Sequence, residues 1–288
     1  MCDQEQLASW ARRTITRRNF GAVSLAGAAA ACSSMDANGS AGATDDVGMR
    51  AVSFATGAGT LDGEFYAKGS MAKPGVIFWP DIAGIRPAKR EMAKRLAAAG
   101  YAVLLANPYY RDVGGQQFED FASFAASGGF QKVGPWRSKF NAATIAEDNS
   151  AAAAWLMNQD EVAGDRGIGV QGYCMTGSFA VLAPAADGRI QAGGSFHGGG
   201  LVSESPDSPH RKLRGDAHYL IAISQDDDAK QPAARTALRQ SALETGAAAE
   251  IEVYPADHGF CVLDSPSYNE VQAERAWSRL LALYAEAL

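Results

Sequence analysis

The chain has 288 residues, 47% hydrophobic and 20% charged, which supplies enough apolar material for a sizeable core. Its formal charge is -6, and lysine and arginine form no cluster beyond the first twenty residues, which argues against a nucleic-acid partner. No apolar run reaches the roughly 18–20 residues of a membrane span, so any membrane attachment has to come from the N-terminus.

Thr16-Arg17-Arg18-Asn19-Phe20, followed by the small and moderately apolar stretch Gly21 to Ala31, has the layout of a twin-arginine export signal. An amphipathic helix packed on the domain is the competing reading. Ala29-Ala30-Ala31 runs into Cys32, which leaves two fates open: cleavage after an A-x-A site, or lipid attachment to Cys32. Residues 1–31 are therefore expected to be a signal peptide that sends the protein to the periplasm, with membrane tethering if Cys32 is lipidated. Residues 32–48, rich in Ser, Gly, Ala, Asn and Asp, read as a flexible tether, and a folded domain is expected over 49–288. Loss of residues 1–31 removes four arginines and two acids and leaves a charge of -8, which suits a small-molecule catalyst better than a grip on anionic polymers.

Ala51 to Phe54 and Gly63 to Lys68 alternate and are broken by glycines and the Asp62-Gly63 pair, which predicts an edge hairpin with its turn at that pair. Gly75 to Trp79 is a continuous apolar run suited to a strand buried on both faces. A helix from Pro87 to Gly100, a strand Tyr101 to Ala106, a helix Asn141 to Met157 and a strand Gly167 to Gln171 follow. Beyond Gly177 come a helix, strands at Ala192 to Phe196 and Tyr219 to Ser224, a helix Gln231 to Glu244, a strand Glu250 to Tyr254 and a last helix Tyr268 to Glu286. This alternation predicts an α/β fold, a mostly parallel sheet with helices on both faces and the ligand site at the carboxyl ends of the strands. Tyr110 to Ser138 reads as a cap-like excursion.

Gly169-Val170-Gln171-Gly172-Tyr173-Cys174-Met175-Thr176-Gly177 joins a buried strand to a helix through small residues and puts a cysteine at the tight turn, the layout of a nucleophile elbow. Gly172 meets the demand for little bulk. Thr176 meets it poorly. A thiol at a helix N-terminus is biased toward thiolate, whereas the bland fate of such a cysteine is simple burial. Ile221-Ala222-Ile223-Ser224 leads into three consecutive aspartates, 226 to 228, and Val253-Tyr254-Pro255 leads into Ala256-Asp257-His258. The order nucleophile, acid, histidine is that of the α/β-hydrolases. Asp226 is favoured as the acid because it is nearest the strand end, although any of the three can be a loop charge or helix cap. His258 would take the thiol proton and Asp226 would fix its tautomer. His197 is expected to line the pocket or support it near the sheet's end.

With Gly-Tyr-Cys-Met-Thr-Gly around Cys174, Ser195-Phe196-His197-Gly198-Gly199-Gly200-Leu201, the Asp226 loop and Asp257-His258-Gly259-Phe260, residues 50–288 resemble the dienelactone hydrolase family. The resemblance implies an α/β-hydrolase fold and a cysteine-centred triad that cleaves small cyclic esters through a thioester acyl-enzyme. It implies an acid beside the resting thiol, a place held here by Asp81, for which a turn or cap role is the alternative. It also implies an oxyanion hole from the backbone N–H groups of Ile82 and Met175. The family's substrate-binding arginine four residues after the histidine is replaced by Val262, and Lys132 and Arg137 are the cations near the place of its second arginine. A less charged ester or lactone is expected, with Trp136, Tyr109 and Tyr110 as candidate walls.

A non-catalytic ligand-binding protein on the same scaffold is the rival reading, and the bulky Thr176 and the missing arginine lean toward it. A thiol redox role for Cys174 and Cys261 lacks a C-x-x-C motif, but a disulfide between the two would silence the nucleophile. No metal-ligand spacing is present, so no cofactor or metal is expected, and a monomer is expected.

Overall fold

The computed structural model describes residues 46–288. The expected signal peptide, most of the tether and Cys32 lie outside the described residues. Apolar runs decide which strands lie at the centre: β3 (Gly75–Trp79), β4 (Ala102–Ala106) and β5 (Ile168–Tyr173) are buried at every position. Strands covered on both faces cannot alternate, and these do not. β1 (Val47–Thr56) and β2 (Gly59–Lys68) pair antiparallel, with β1 mostly exposed at the sheet's edge.

The expected turn at Asp62-Gly63 is not where the chain reverses. Thr56 faces Gly59 across a two-residue turn, and Asp62 and Gly63 lie inside β2. A Cβ on Gly63 would come 2.6 Å from the Leu105 carbonyl, so its glycine serves a close approach of strands and not a turn. The Asp62 carboxylate accepts from Asn107 Nδ2 at 2.9 Å and from the Gly115 N–H at 2.7 Å, and so pins the start of the cap.

β6 (Ile190–Phe196), β7 (His218–Ser224) and β8 (Ala248–Tyr254) complete an eight-stranded sheet in the order β1-β2-β4-β3-β5-β6-β7-β8. From β4 onward every pairing is parallel. Parallel neighbours need crossovers, and these supply the helices on both faces. On one face α1 (Pro87–Ala98) and the last helix α8 (Glu270–Ala287) bury Ala93, Leu96, Leu280 and Tyr284. On the other, α4 (Ala142–Leu156) and α5 (Gly177–Ala186) bury Ile145, Leu156, Phe179 and Leu182. α7 (Pro232–Thr245) covers β7 and β8 through Leu238 and Ala242.

The cap is not structureless. It contains α2 (Phe121–Ala126), opened by a capping box at Asp120 and Ser123, and α3 (Gly129–Arg137). Phe118, Phe121, Phe124, Phe130 and Val133 give it a small core, with the Phe124 and Phe130 rings 4.6 Å apart. At its base Arg111 and the Tyr110 hydroxyl both bind the Asp148 carboxylate of α4, at 2.7 and 2.6 Å. Among the described residues no helix is long and apolar enough to cross a membrane. The parallel strands all run the same way, so residues 81, 174, 197, 227 and 258, each just past a strand end, meet at one edge of the sheet.

Candidate active site

β5 delivers Cys174 into a single tight turn (Cys174–Thr176) before α5 begins. Cys174 sits at φ +56, in the left-handed region that a side chain enters at a cost, and such strain persists only where the surroundings enforce it. The enforcement is visible two residues before it and three after. A Cβ on Gly172 would lie 2.0 Å from the Thr176 carbonyl oxygen, and one on Gly177 would lie 2.4 Å from Gly198 Cα. Thr176, which looked too bulky, is built into the turn. Its Oγ1 accepts from the Tyr173 N–H at 3.0 Å and lies within donating distance of the Trp79 and Pro80 carbonyls, at 3.0 and 2.9 Å. The hydroxyl thus stitches the elbow to the end of β3.

The histidine arrives from β8. His258 is 5% exposed, and its Nδ1 lies 2.6 Å from Asp227 Oδ2. A carboxylate there holds the ring proton on Nδ1 and leaves Nε2 as the basic nitrogen. The carboxylate at this ring nitrogen is that of Asp227, whereas the expected Asp226 accepts the backbone N–H of His258 at 2.8 Å. The reason is local. The three aspartates are not in a loop but in the first turn of a short helix, α6 (Gln225–Lys230), so consecutive side chains point in different directions. Ser224 Oγ donates to the same Asp227 oxygen at 2.5 Å, and the Gln225 N–H bonds the Ala256 carbonyl at 3.0 Å, locking the two loops together.

Asp81, Ile82, Phe121, Cys174, His197, His258, Gly259, Val262 and Ser265 line one narrow cavity. Cys174 is 4% exposed within it. Ile82 is a wall, and Tyr109 donates its hydroxyl to the Ile82 carbonyl at 2.7 Å and touches Met175 Sδ at 3.6 Å. Met175 opens the turn after the cysteine, where first-turn N–H groups have no carbonyl within the helix to bond.

Asp81 takes the turn role given as its alternative, accepting the Ala83 N–H at 3.0 Å, and anchors an ion cluster besides. Both its oxygens face cations: Arg86 at 2.7 and 2.9 Å and Lys89 at 2.9 Å, and the Ala83 N–H adds a fourth contact. Burial pushes its carboxyl up, but Arg86 and Lys89 outweigh burial and hold it far below the usual carboxylate range. It is a fixed anion in a buried ion cluster, and no thiol contact is among its hydrogen bonds. Arg86 reaches on to Asp264, which also accepts the Phe121 N–H at 2.9 Å, so one guanidinium joins the sheet edge, the loop after His258 and the cap. Burial lowers the Lys89 ammonium despite Asp81, and its Nζ stands 4.4 Å from the centre of the Tyr173 ring.

Of the four expected substrate-binding residues, His197 lines the cavity and the other three do not. Tyr109 lies behind Ile82, Trp136 packs on Tyr109 at 5.2 Å, and Arg137 ends α3, half-buried. Tyr110 faces Asp148, away from these walls. His197 is buried at φ +39, with its ring 4.7 Å from that of His258. Burial, and then His258 and Lys89, push its pKa well below the ordinary imidazole value. Cys261 and Cys174 are buried thiols with no disulfide between them; Cys261 sits in the core under α8, where burial raises its thiol well above the usual range. Among the described residues no group of three or more His, Cys, Asp and Glu side chains converges as metal ligands would.

A cysteine at a strained strand-to-helix turn, a histidine after the last strand and an acid after the strand before it, on a parallel sheet in this order, define an α/β-hydrolase. The dienelactone hydrolase family profile matches residues 61–288, and the chain belongs to that family. Proteins bearing the name carboxymethylenebutenolidase are similar to it: one from Salmonella typhi is 27% identical over 221 residues, covering 75% of this chain and 78% of that one. One from Synechocystis is 26% identical over 223 residues, covering 75% and 87%. A structure described as a dienelactone hydrolase from Klebsiella pneumoniae superposes with a TM-score of 0.70 at 24% identity, over 83% of this chain and 98% of that one. A dienelactone hydrolase-like promiscuous phosphotriesterase from metagenomic libraries gives 0.66 at 24%, over 84% and 99%.

Proposed function

We propose that this dienelactone hydrolase-like hydrolase cleaves a small ester or lactone through Cys174, His258 and Asp227. The observation that carries the reading is the strained backbone of Cys174 in a cavity shared with a histidine whose far nitrogen is held by a carboxylate. His258 Nε2 takes the thiol proton as sulfur attacks the carbonyl carbon. The oxyanion so formed is held by the N–H groups of Ile82 and Met175, donors worth about 10²–10³ in rate apiece. Collapse breaks the C–O bond, His258 returns the proton to the leaving alkoxide, and a thioester remains on Cys174; in a lactone the new hydroxyl stays attached to the acyl group. Water, deprotonated by His258, then attacks the thioester and releases the acid and the thiol. Asp227 keeps the Nδ1 proton in place and stabilises the imidazolium between steps.

Turnover of an ester and lactone panel by the wild type, Cys174→Ala and Cys174→Ser tests this, with iodoacetamide inactivation followed across pH. Activity that dies in Cys174→Ala and is abolished by alkylation is expected. Equal rates in wild type and Cys174→Ala would remove the cysteine from the mechanism, and ligand binding without turnover of any panel member would favour a binding protein.

From the sequence alone we also propose export by the twin-arginine route, with a periplasmic and, if Cys32 is lipidated, membrane-tethered enzyme. Replacing Arg17 and Arg18 by lysine is expected to retain the protein in the cytoplasm on cell fractionation; unchanged export would exclude that route.

A further inference from the structure

His197 is a polar wall of the cavity that the reaction above leaves unused. His197 is 1% exposed, and neither Nδ1 nor Nε2 has a hydrogen-bond partner. A neutral imidazole always presents one N–H donor and one bare acceptor, and burying both unsatisfied is costly. The position is also at φ +39, which the side chain makes no easier. If packing were the only demand, an apolar ring against Phe260 and Tyr173 would meet it without the polar cost.

Charge narrows what this ring can meet. No lysine or arginine lines the cavity, and Asp81 is an anion in its wall. The nearest guanidinium, Arg86, spends its five N–H groups on Asp81, Asp264 and the Gly84 carbonyl. Lys89 is turned to Asp81 and the Tyr173 ring. Burial together with His258 and Lys89 keeps His197 neutral near pH 7, so it cannot act as a counter-charge. A substrate carboxylate would be buried in a cavity with no cation of its own lining to pair with.

We infer that the cavity selects an uncharged ester or lactone bearing a hydroxyl group near the reacting carbonyl, and that His197 recognises this hydroxyl. A hydroxyl can donate to the bare ring nitrogen or accept from the N–H, so either tautomer serves. Phe121 and Val262 then cover the hydrocarbon part of the substrate. The inference rests on the Cys174 hydrolase reading.

The test compares ethyl butanoate, ethyl 2- and 3-hydroxybutanoate and monoethyl succinate by pH-stat, with wild type, His197→Gly, His197→Asn and Cys174→Ala. Glycine and asparagine both tolerate a left-handed backbone. Wild type is expected to favour one hydroxy ester over the butanoate by about tenfold in kcat/KM and to disfavour the succinate by about a hundredfold. In His197→Gly the hydroxyl preference falls to near unity, and in His197→Asn part of it survives, while discrimination against the succinate persists in both. A hydroxyl preference unchanged in His197→Gly, no such preference in wild type, or succinate cleaved as fast as butanoate overturns the inference while Cys174-dependent hydrolysis stands. No hydrolysis of any of the four by wild type also overturns the inference, and hydrolysis undiminished in Cys174→Ala removes the hydrolase reading and this inference with it.

Discussion

Asp227 Oδ2 lies 2.6 Å from His258 Nδ1, while the adjacent carboxylate of Asp226 grips the backbone N–H of the same histidine at 2.8 Å. Two neighbouring acids therefore hold one residue in two ways, by its ring and by its main chain. Asp227→Asn is expected to lower kcat/KM by about 10³–10⁴, the range seen when a triad acid loses its charge. Asp226→Asn keeps an oxygen for the N–H and should cost about tenfold or less. Steady-state kinetics on the two variants decide the assignment, and the reverse ranking would return the role to Asp226.

The ion cluster around Asp81 predicts a stability effect larger than its catalytic one. Asp81→Asn leaves Arg86 and Lys89 buried without their shared anion, which is expected to cost about 3–5 kcal/mol at pH 7. The sign with pH follows from the carboxyl being held low in the fold: its contribution is present above the unfolded value of about 3.9 and is lost as pH falls further. Denaturant melts of both proteins should thus show a gap that narrows below about pH 4. A gap constant down to pH 2 would contradict a folded-state anion.

Thr176→Val keeps the volume of the elbow residue but strips the partner from the buried Tyr173 N–H and the link to the Trp79 and Pro80 carbonyls. A loss of about 1–3 kcal/mol in unfolding free energy is expected, with kcat/KM falling as the loop carrying Ile82 loosens. Thr176→Ser should restore most of both. Wild-type stability and activity in Thr176→Val would mean that the hydroxyl only fills space.

The two thiols should differ sharply toward iodoacetamide. Burial holds Cys261 protonated well above the usual thiol range, and only a thiolate alkylates. Mass spectrometry of the native protein at pH 8 is expected to find the label on Cys174, with Cys261 labelled only after unfolding. Native labelling of Cys261 ahead of Cys174 would reverse the roles given to them.

The site was legible where its signal is local. Gly172, Cys174 and Gly177 stand at a spacing that only a cramped strand-to-helix turn requires, and His258 follows a strand that the hydropathy pattern marks. The carboxylate that meets the imidazole ring is one residue away from the one expected, because nearness to the strand end says nothing about which face of α6 turns to the histidine. Arg86 and Lys89 were missed because charges near a helix start ordinarily face water, and only the folded cap and the Asp264 loop enclose them. Trp136 and Arg137 depend on how the cap closes, a matter of long-range packing among Phe118, Phe124 and Phe130. The bulk of Thr176 can be read from the sequence, but the bonds its hydroxyl makes to the end of β3 cannot.

The convergence of residues 81, 174, 197, 227 and 258 on one sheet edge has a kinetic consequence. Tyr173 pairs with Phe196, Phe196 with Ala222 and Ser224 with Tyr254, so Cys174 and His258 share no local segment of chain and meet only after these strands have found their register. Loop-closure entropy makes such pairings slow relative to helix formation. During refolding, helical signal should recover ahead of esterase activity, and the protein spends its early life as a chain whose cysteine has no imidazole at hand to activate it.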